Sequence, residues 1–119
     1  MKVLIVDSSA AIILRYKEIL SIVSGIELIY DATNYKDAIK HISSFKPEIM
    51  LLDTNLPGGQ SIELVKEIRL AQGNVKIIAI ANNMDEMLIE QFNESGVDHF
   101  IDKYNDFEKI PGIIQSFAI

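Results

Sequence analysis

The feature that most constrains this chain is an alternation of short, unbroken apolar runs with stretches of helical periodicity. Val3–Val6, Glu48-Ile49-Met50-Leu51-Leu52 and Val75–Ala81 are runs of the first kind. They do not alternate apolar with polar, so each suits a strand buried on both faces, as in a parallel sheet. Glu27–Tyr30 and Val97–Ile101 are weaker strand candidates, the latter with Asp98 and His99 inside it. Between the runs, apolar residues recur at close to helical spacing. Ile12, Ile13, Tyr16, Ile19, Leu20 and Val23 follow a Ser8 or Ser9 cap, with Gly25 as the stop signal. Asn34-x-x-Asp37 opens a second helix with Ala38, Ile39, Ile42 and Phe45, and Lys46-Pro47 ends it. Ser61 is a candidate cap for a third helix carrying Ile62, Leu64, Val65 and Ile68 and ending near Gly73. Asp85 is the cap for a fourth, with Leu88, Ile89 and Phe92, ending at Gly96. A fifth is expected to start near Glu108, because Pro111 is tolerated only in a first turn.

Strand–helix repeated in this way demands right-handed crossovers and a parallel sheet covered on both faces. The expected fold is α/β, one domain over residues 1–119, with a five-stranded parallel sheet in the doubly wound, flavodoxin-like order 2-1-3-4-5. Ligands of such sheets bind beyond the carboxyl ends of the strands, at the switch point between strands 1 and 3.

Composition narrows the function classes. The 119 residues include no Cys, which excludes a disulfide framework, a thiolate metal site and a cysteine nucleophile. Seventeen acids against 11 Lys and Arg give a net charge of −6. Such a chain repels phosphate backbones, so direct nucleic-acid binding is not expected. The apolar run at the N-terminus is too short for a signal peptide, and no stretch approaches a membrane span. A cytoplasmic location is the default. No output domain fits within the sequence, so it either stands alone or is a piece of something longer.

The carboxyl edge carries the chemistry. Strand 1 ends at Asp7, strand 3 at Asp53, strand 4 at Ala81-Asn82-Asn83 and strand 5 at Asp102-Lys103. In the expected order Asp7 and Asp53 become neighbours, and Lys103 reaches them from beyond strand 4. Two neighbouring carboxylates want a cation or a proton between them, and oxygen ligands suit Mg²⁺. A lysine keeps an aspartate ionised and can neutralise an added phosphoryl group. An ionised aspartate is a competent nucleophile for phosphoryl transfer. Acids at strand ends also commonly do no more than cap the next helix, so the combination of three tips matters more than any one.

Three segments resemble the receiver (CheY-like) domain of bacterial two-component response regulators. They are Val3-Leu-Ile-Val-Asp7, Leu51-Leu-Asp-Thr-Asn-Leu-Pro57 and Phe100-Ile-Asp-Lys103. Gly25-Ile-Glu-Leu-Ile-Tyr-Asp-Ala-Thr-Asn34 is similar to receivers that precede LuxR-type (NarL/FixJ-like) DNA-binding domains. The resemblance implies Asp53 as phosphoacceptor, Lys103 as the phosphate-contacting lysine and Asp7 as the surviving member of an acidic pair. It implies Mg²⁺ held by Asp7, Asp53, the Asn55 backbone carbonyl and, weakly or through water, Ser8. Asn55, Asn82 and Asn83 would govern access and hydrolysis, and Ala81 and Phe100 stand at the switch positions. The expected reaction is transfer from a histidine kinase or phosphotransfer protein, then slow self-hydrolysis, in a signalling domain rather than an enzyme. The expected partner surface is the face of helix 4, strand 5 and helix 5, with Met84, Met87, Phe100, Tyr104 and Phe107.

The departures from that family pattern are specific. Ser8 stands where a second acid normally ligates the metal, so Mg²⁺ affinity should drop. Ala81 replaces a Ser or Thr that bonds the phosphoryl oxygen. Asn82 replaces a small residue, and Tyr104 replaces a proline, which favours a trans bond there. Ser61 replaces a glycine, with Gly58 and Gly59 left to supply turn flexibility. Ser8 and Ala81 also admit a pseudo-receiver that docks partners without phosphate. A haloacid-dehalogenase-type phosphatase needs Asp-x-Asp, and this chain has Asp53-Thr-Asn55. A dinucleotide carrier needs a G-x-G-x-x-G turn that is absent. His41 and His99 are expected to be lone surface or edge residues.

Overall fold

A computed structural model describes residues 1–117. Five parallel strands, β1 (Lys2–Val6), β2 (Leu28–Ala32), β3 (Ile49–Asp53), β4 (Lys76–Ala81) and β5 (His99–Asp102), form one sheet in the order β2-β1-β3-β4-β5. They alternate with α1 (Ala10–Leu20), α2 (Tyr35–Phe45), α3 (Ser61–Ala71), α4 (Glu86–Ser95) and α5 (Ile110–Phe117). The expected architecture and strand order are therefore those observed.

Strand alternation sorts the core into two layers. Leu4, Val6, Met50, Leu52, Ile77 and Ala79 point to the face covered by α2, α3 and α4, where they meet Ala38, Ile42, Leu64, Ile68 and Phe92. Val3, Ile5, Ile49, Leu51, Ile78, Ile80 and Ile101 point to the opposite face, against Ile13, Tyr16 and Leu20 of α1 and Ile110 and Ile114 of α5. Each fully buried aliphatic chain contributes roughly 1.5–3 kcal/mol. The central strand β3 is buried along its whole length, which is why its apolar run has no polar alternation.

Local signals account for most helix ends. The Ser9 side chain accepts the Ile12 N–H, the Asn34 side chain accepts the Asp37 N–H, and the Asp85 side chain accepts the Met87 N–H. Lys46 closes α2 in the left-handed region at φ 48°, and Gly96 closes α4 at φ 110°. Three expectations are corrected. Helix α1 ends at Leu20, where the Ser21 N–H bonds the Lys17 and Glu18 carbonyls, so Gly25 lies in the following loop rather than at the helix end. Helix α3 ends at Ala71, ahead of Gly73, and its cap position is Gln60 rather than Ser61. Helix α5 begins at Ile110, after a 3-10 turn over Phe107–Lys109, with Pro111 in its first turn. His41 is half-buried beside the edge strand β2, its ring packed against the stacked pair of Tyr30 and Phe45 with centroids 5.7 and 5.3 Å away. His99 is exposed, as expected. No cis peptide bond occurs among the described residues, which agrees with a trans bond before Tyr104. No helix among them is long and apolar enough to cross a membrane.

Candidate functional site

Three strand tips converge at the carboxyl edge. Ile5, Leu51 and Ile101 all face α1 and α5. Carried two residues further along each chain, the same alternation turns Asp7, Asp53 and Lys103 toward that side. All three are buried: Asp7 is 1% exposed, Asp53 5% and Lys103 9%. The Lys103 Nζ lies 3.1 Å from Asp7 Oδ2 and 3.7 Å from Asp53 Oδ2. One ammonium thus serves two carboxylates.

Backbone turns fix each member. Asp7 Oδ1 accepts the Ser9 N–H at 2.9 Å, and the Asp7 N–H bonds the Ala32 carbonyl of β2. Asp53 Oδ1 accepts the Asn55 N–H at 2.9 Å. The Lys103 N–H bonds the Ala81 carbonyl at 2.8 Å, which ties the lysine's backbone to the tip of β4. Asp102 Oδ1 accepts the Tyr104 and Asn105 N–H groups and so folds the turn that carries Lys103. Asp7 Oδ2 remains without a hydrogen-bond donor. Its contact with Lys103 is one of charge at close range rather than a directed bond.

Burial is the largest influence on Asp53 and raises its pKa above the ordinary carboxylate value. The Asn55 N–H opposes that shift, the Asp7 charge adds to it and Lys103 opposes it. An aspartate that is buried, still paired with a cation and raised in basicity is a better nucleophile than a solvated one.

The donor set fits a hard cation through oxygen alone, although a cation on Asp7 Oδ2 would have to displace the Lys103 ammonium 3.1 Å from it. It is one acid short. Ser8, expected as a weak ligand, is exposed. Among the described residues no group of three or more His, Cys, Asp or Glu stands close enough to hold an ion. Asn55, Asn82 and Asn83 are exposed around the mouth. Ala81 is fully buried and presents only a methyl group.

The structure also separates residues that the sequence grouped together. Met84, Met87 and Tyr104 are exposed. Phe100 packs instead on the α2–α3–α4 core, with its ring 5.8 Å from Phe92. Phe107 packs on the α1–α5 core, stacked 5.4 Å from Tyr16, with the Arg15 guanidinium 4.6 Å from its ring centroid. Ser61, read as a helix cap, instead donates its hydroxyl to the Asp53 carbonyl at 2.7 Å and accepts the Leu56 N–H at 3.2 Å. It braces the loop under Asp53. The glycines before it, at φ 76° and 67°, make that loop's turn in a conformation other residues resist. Tyr16 is read from the sequence only as part of an apolar stripe, yet its hydroxyl is buried, and burial first, then the charges of Asp7 and Asp53, raise its pKa. The signal available in the sequence was one polar atom in an otherwise aliphatic stripe.

A family model described as the response regulator receiver domain matches residues 3–115. The chemotaxis protein CheY of Thermotoga maritima is 30% identical over 102 residues, covering 86% of this chain and 84% of that protein. The DNA-binding transcriptional activator EvgA of Escherichia coli K12 is 23% identical over 116 residues, covering 98% of this chain and 56% of EvgA. The response regulator protein VraR of Staphylococcus saprophyticus is 25% identical over 100 residues, covering 84% of this chain and 48% of VraR. The chain thus spans about half the length of these last two relatives. Among solved structures, the signal receiver domain of a DNA-binding response regulator from Colwellia psychrerythraea superposes with a TM-score of 0.91 at 18% identity, over 99% of this chain and 98% of that one. A LuxR-family response regulator from Staphylococcus aureus gives 0.87 at 22%, over 99% and 98%. At those identities the structural likeness speaks for the fold alone.

Proposed function

Because this chain belongs to the response regulator receiver domain family, we propose that it accepts a phosphoryl group on Asp53 from a phosphohistidine of a histidine kinase or phosphotransfer protein. The observation that carries this reading is the Lys103 ammonium, buried 3.1 Å from Asp7 and 3.7 Å from Asp53. An Asp53 carboxylate oxygen attacks phosphorus and the nitrogen–phosphorus bond breaks. The histidine nitrogen leaves with the bonding pair and takes up a proton. Lys103 neutralises charge on the transferred group. Attack by water at phosphorus then releases phosphate and restores the carboxylate. Asp7, Asp53 and the Asn55 carbonyl would hold Mg²⁺, with Ser8 contributing weakly or through water. When bound, that ion shields the charge that gathers on the phosphoryl oxygens. Its affinity is reduced, because two acids face it and Lys103 competes for both. Asn55, Asn82 and Asn83 flank the entrance, where they would set access for the donor and for water. Signalling rather than turnover is the output, and the site suits a cytoplasmic location.

Partners would engage the exposed Met84, Met87 and Tyr104 beside α4 and β5, since flexible thioethers next to an aromatic ring suit adaptable contacts. The net charge of −6 argues against direct contact with nucleic acid by this domain. A second reading rests on Ser8 and Ala81, which weaken metal binding and remove the hydroxyl nearest the phosphoryl oxygen. In it the chain docks partners without phosphate, and Lys103 serves only to balance Asp7 and Asp53.

Incubation with a small-molecule phosphodonor and Mg²⁺, read by intact mass, separates the two. Phosphorylation predicts the mass gain of one phosphoryl group, abolished in Asp53→Asn. No gain at any Mg²⁺ concentration leaves the docking reading.

A further inference from the structure

The loop from Asp53 at the end of β3 to Ser61 at the start of α3 contains Gly58 and Gly59, residues with much conformational freedom to lose on folding. One buried hydroxyl ties this loop together. Ser61 is 1% exposed, donates to the Asp53 carbonyl at 2.7 Å and accepts the Leu56 N–H at 3.2 Å. Each bond fixes one peptide unit. The first unit joins Asp53 to Thr54, and its N–H also bonds the Ile80 carbonyl of β4 at 3.0 Å. The second unit joins Asn55 to Leu56. In a planar trans peptide the N–H and the C=O point in opposite directions, and the described residues contain no cis bond. With the Leu56 N–H turned to Ser61, the Asn55 carbonyl is therefore turned away from it. The Leu56 side chain, 2% exposed in the α2–α3–α4 core, holds the far end of the same unit.

We infer that Ser61 is a positioning residue for the cation site, acting through the Asn55 carbonyl: its hydroxyl fixes that carbonyl's orientation before a divalent cation binds. A ligand already ordered spares the ion the entropy cost of ordering it. The saving matters at this site. The two carboxylates that face it, Asp7 and Asp53, both already engage Lys103, at 3.1 and 3.7 Å. A backbone oxygen has no such competitor for its charge, so it carries a larger share of the ion's hold. Without the hydroxyl, the Leu56 N–H loses its acceptor and the Asn55–Leu56 unit can rotate within a loop that two glycines already loosen. This inference rests on the phosphorylation reading above, which brings the cation to the site.

The test compares the full chain with Ser61→Ala and Ser61→Gly. Both variants should unfold at a lower urea midpoint without Mg²⁺, because two backbone groups lose a partner. Their Mg²⁺ affinity, followed by titration calorimetry, should fall about tenfold, as for ordering one residue's backbone only on binding. Labelling by a small-molecule phosphodonor should fall at low Mg²⁺ and return to the wild-type rate at saturating Mg²⁺. Should Ser61→Ala not fold, Ser61→Gly carries the comparison, since it leaves room for a water in place of the hydroxyl. Equal Mg²⁺ affinity in wild type and variant, whatever their urea midpoints, overturns the inference alone and leaves Ser61 as a brace of the loop. Labelling that stays depressed at saturating Mg²⁺ also overturns it, because the defect then lies at Asp53 and not in the hold on the ion. A wild-type chain that neither binds Mg²⁺ nor takes up phosphoryl overturns it together with the phosphorylation reading.

Discussion

At the carboxyl edge of the sheet, the α1–α5 face and the α2–α3–α4 face are built from different materials. The first carries Asp7, Asp53 and Lys103, continuing the rows begun by Ile5, Leu51 and Ile101. The second carries Phe100, in register with Ala79 of β4, and Ala81, in register with Asp102. There the buried contacts are apolar, among them the pair of Phe92 and Phe100. Strand alternation alone produces this division, because residues one apart on a strand face opposite ways. Groups able to capture a phosphoryl group therefore sit on one face. Ala81, the proposed switch position, sits on the other with no polar atom to offer. If Asp53 accepts a phosphoryl group as proposed, capture and readout fall on different faces, and substitutions on each face should show different signatures.

The largest effect should come from Lys103→Ala. Removing the ammonium leaves two buried carboxylates facing each other, and loss of one partner from a buried ion pair costs about 3–5 kcal/mol. Urea unfolding should show that loss, and added Mg²⁺ should recover part of it. Phosphodonor labelling should fall to background. Lys103→Ala with wild-type stability would mean that the trio is open to solvent and that the charged face is not a pocket. Phe100→Ala on the opposite face should cost less, about 2 kcal/mol, because the ring is only half-buried. Its labelling rate should stay at the wild-type value. A large fall in labelling by this variant would couple the two faces and break the comparison.

The charged face is also where the site can be strengthened. Ser8→Asp would place a third acid beside Asp7 and Asp53. Mg²⁺ affinity, followed by titration calorimetry, should rise about tenfold, equivalent to roughly 1.4 kcal/mol. Without Mg²⁺ the same variant should be slightly less stable, because another negative charge joins a pocket that holds a single lysine. Unchanged Mg²⁺ affinity would show that the Ser8 position, exposed in the structure, does not reach the ion.

Much of the fold was legible because its central strands are simple. Ile49–Asp53 is buried along its length, so its sequence shows an uninterrupted apolar run. The two edge strands were read one to two residues early, as Glu27–Tyr30 and Val97–Ile101 against Leu28–Ala32 and His99–Asp102. Edge strands are partly solvated, and mixed burial blurs the pattern. The convergence of Asp7, Asp53 and Lys103 was legible from topology, since strand order alone decides which tips meet. Ser61 was not: a serine before an apolar run signals a cap, and only the folded loop turns its hydroxyl back to the Asp53 carbonyl. Nor was Tyr16, because helical periodicity counts a tyrosine as apolar and says nothing of its hydroxyl. The aromatic packing of His41 was hidden for a related reason. Its aromatic neighbours Tyr30 and Phe45 come from a strand and from the next helical turn, and their stacking depends on how β2 and α2 pack.

The smallest effect tests the balance inside the charged face itself. Asp53 has a raised pKa with burial as the leading cause, so the folded chain holds a proton there more tightly than the unfolded chain does. That preference favours folding at pH below the ordinary carboxylate range, and it vanishes as pH rises through the raised value. At neutral pH ionised Asp53 is therefore a net cost to stability, against which Lys103 and the Asn55 N–H only partly compensate. Asp53→Asn keeps the shape, removes the charge and leaves Asp7 alone with Lys103. It should stabilise the neutral chain by about 1 kcal/mol, a rise in Tm of about 4 °C for a domain of this size. The gap between variant and wild type should narrow as melts are repeated at lower pH, because wild-type Asp53 then takes up its proton. A variant that melts below wild type at neutral pH would show that attraction to Lys103 outweighs burial. The charged face would then be a stabilising ion cluster rather than a strained pocket held ready for a phosphoryl group.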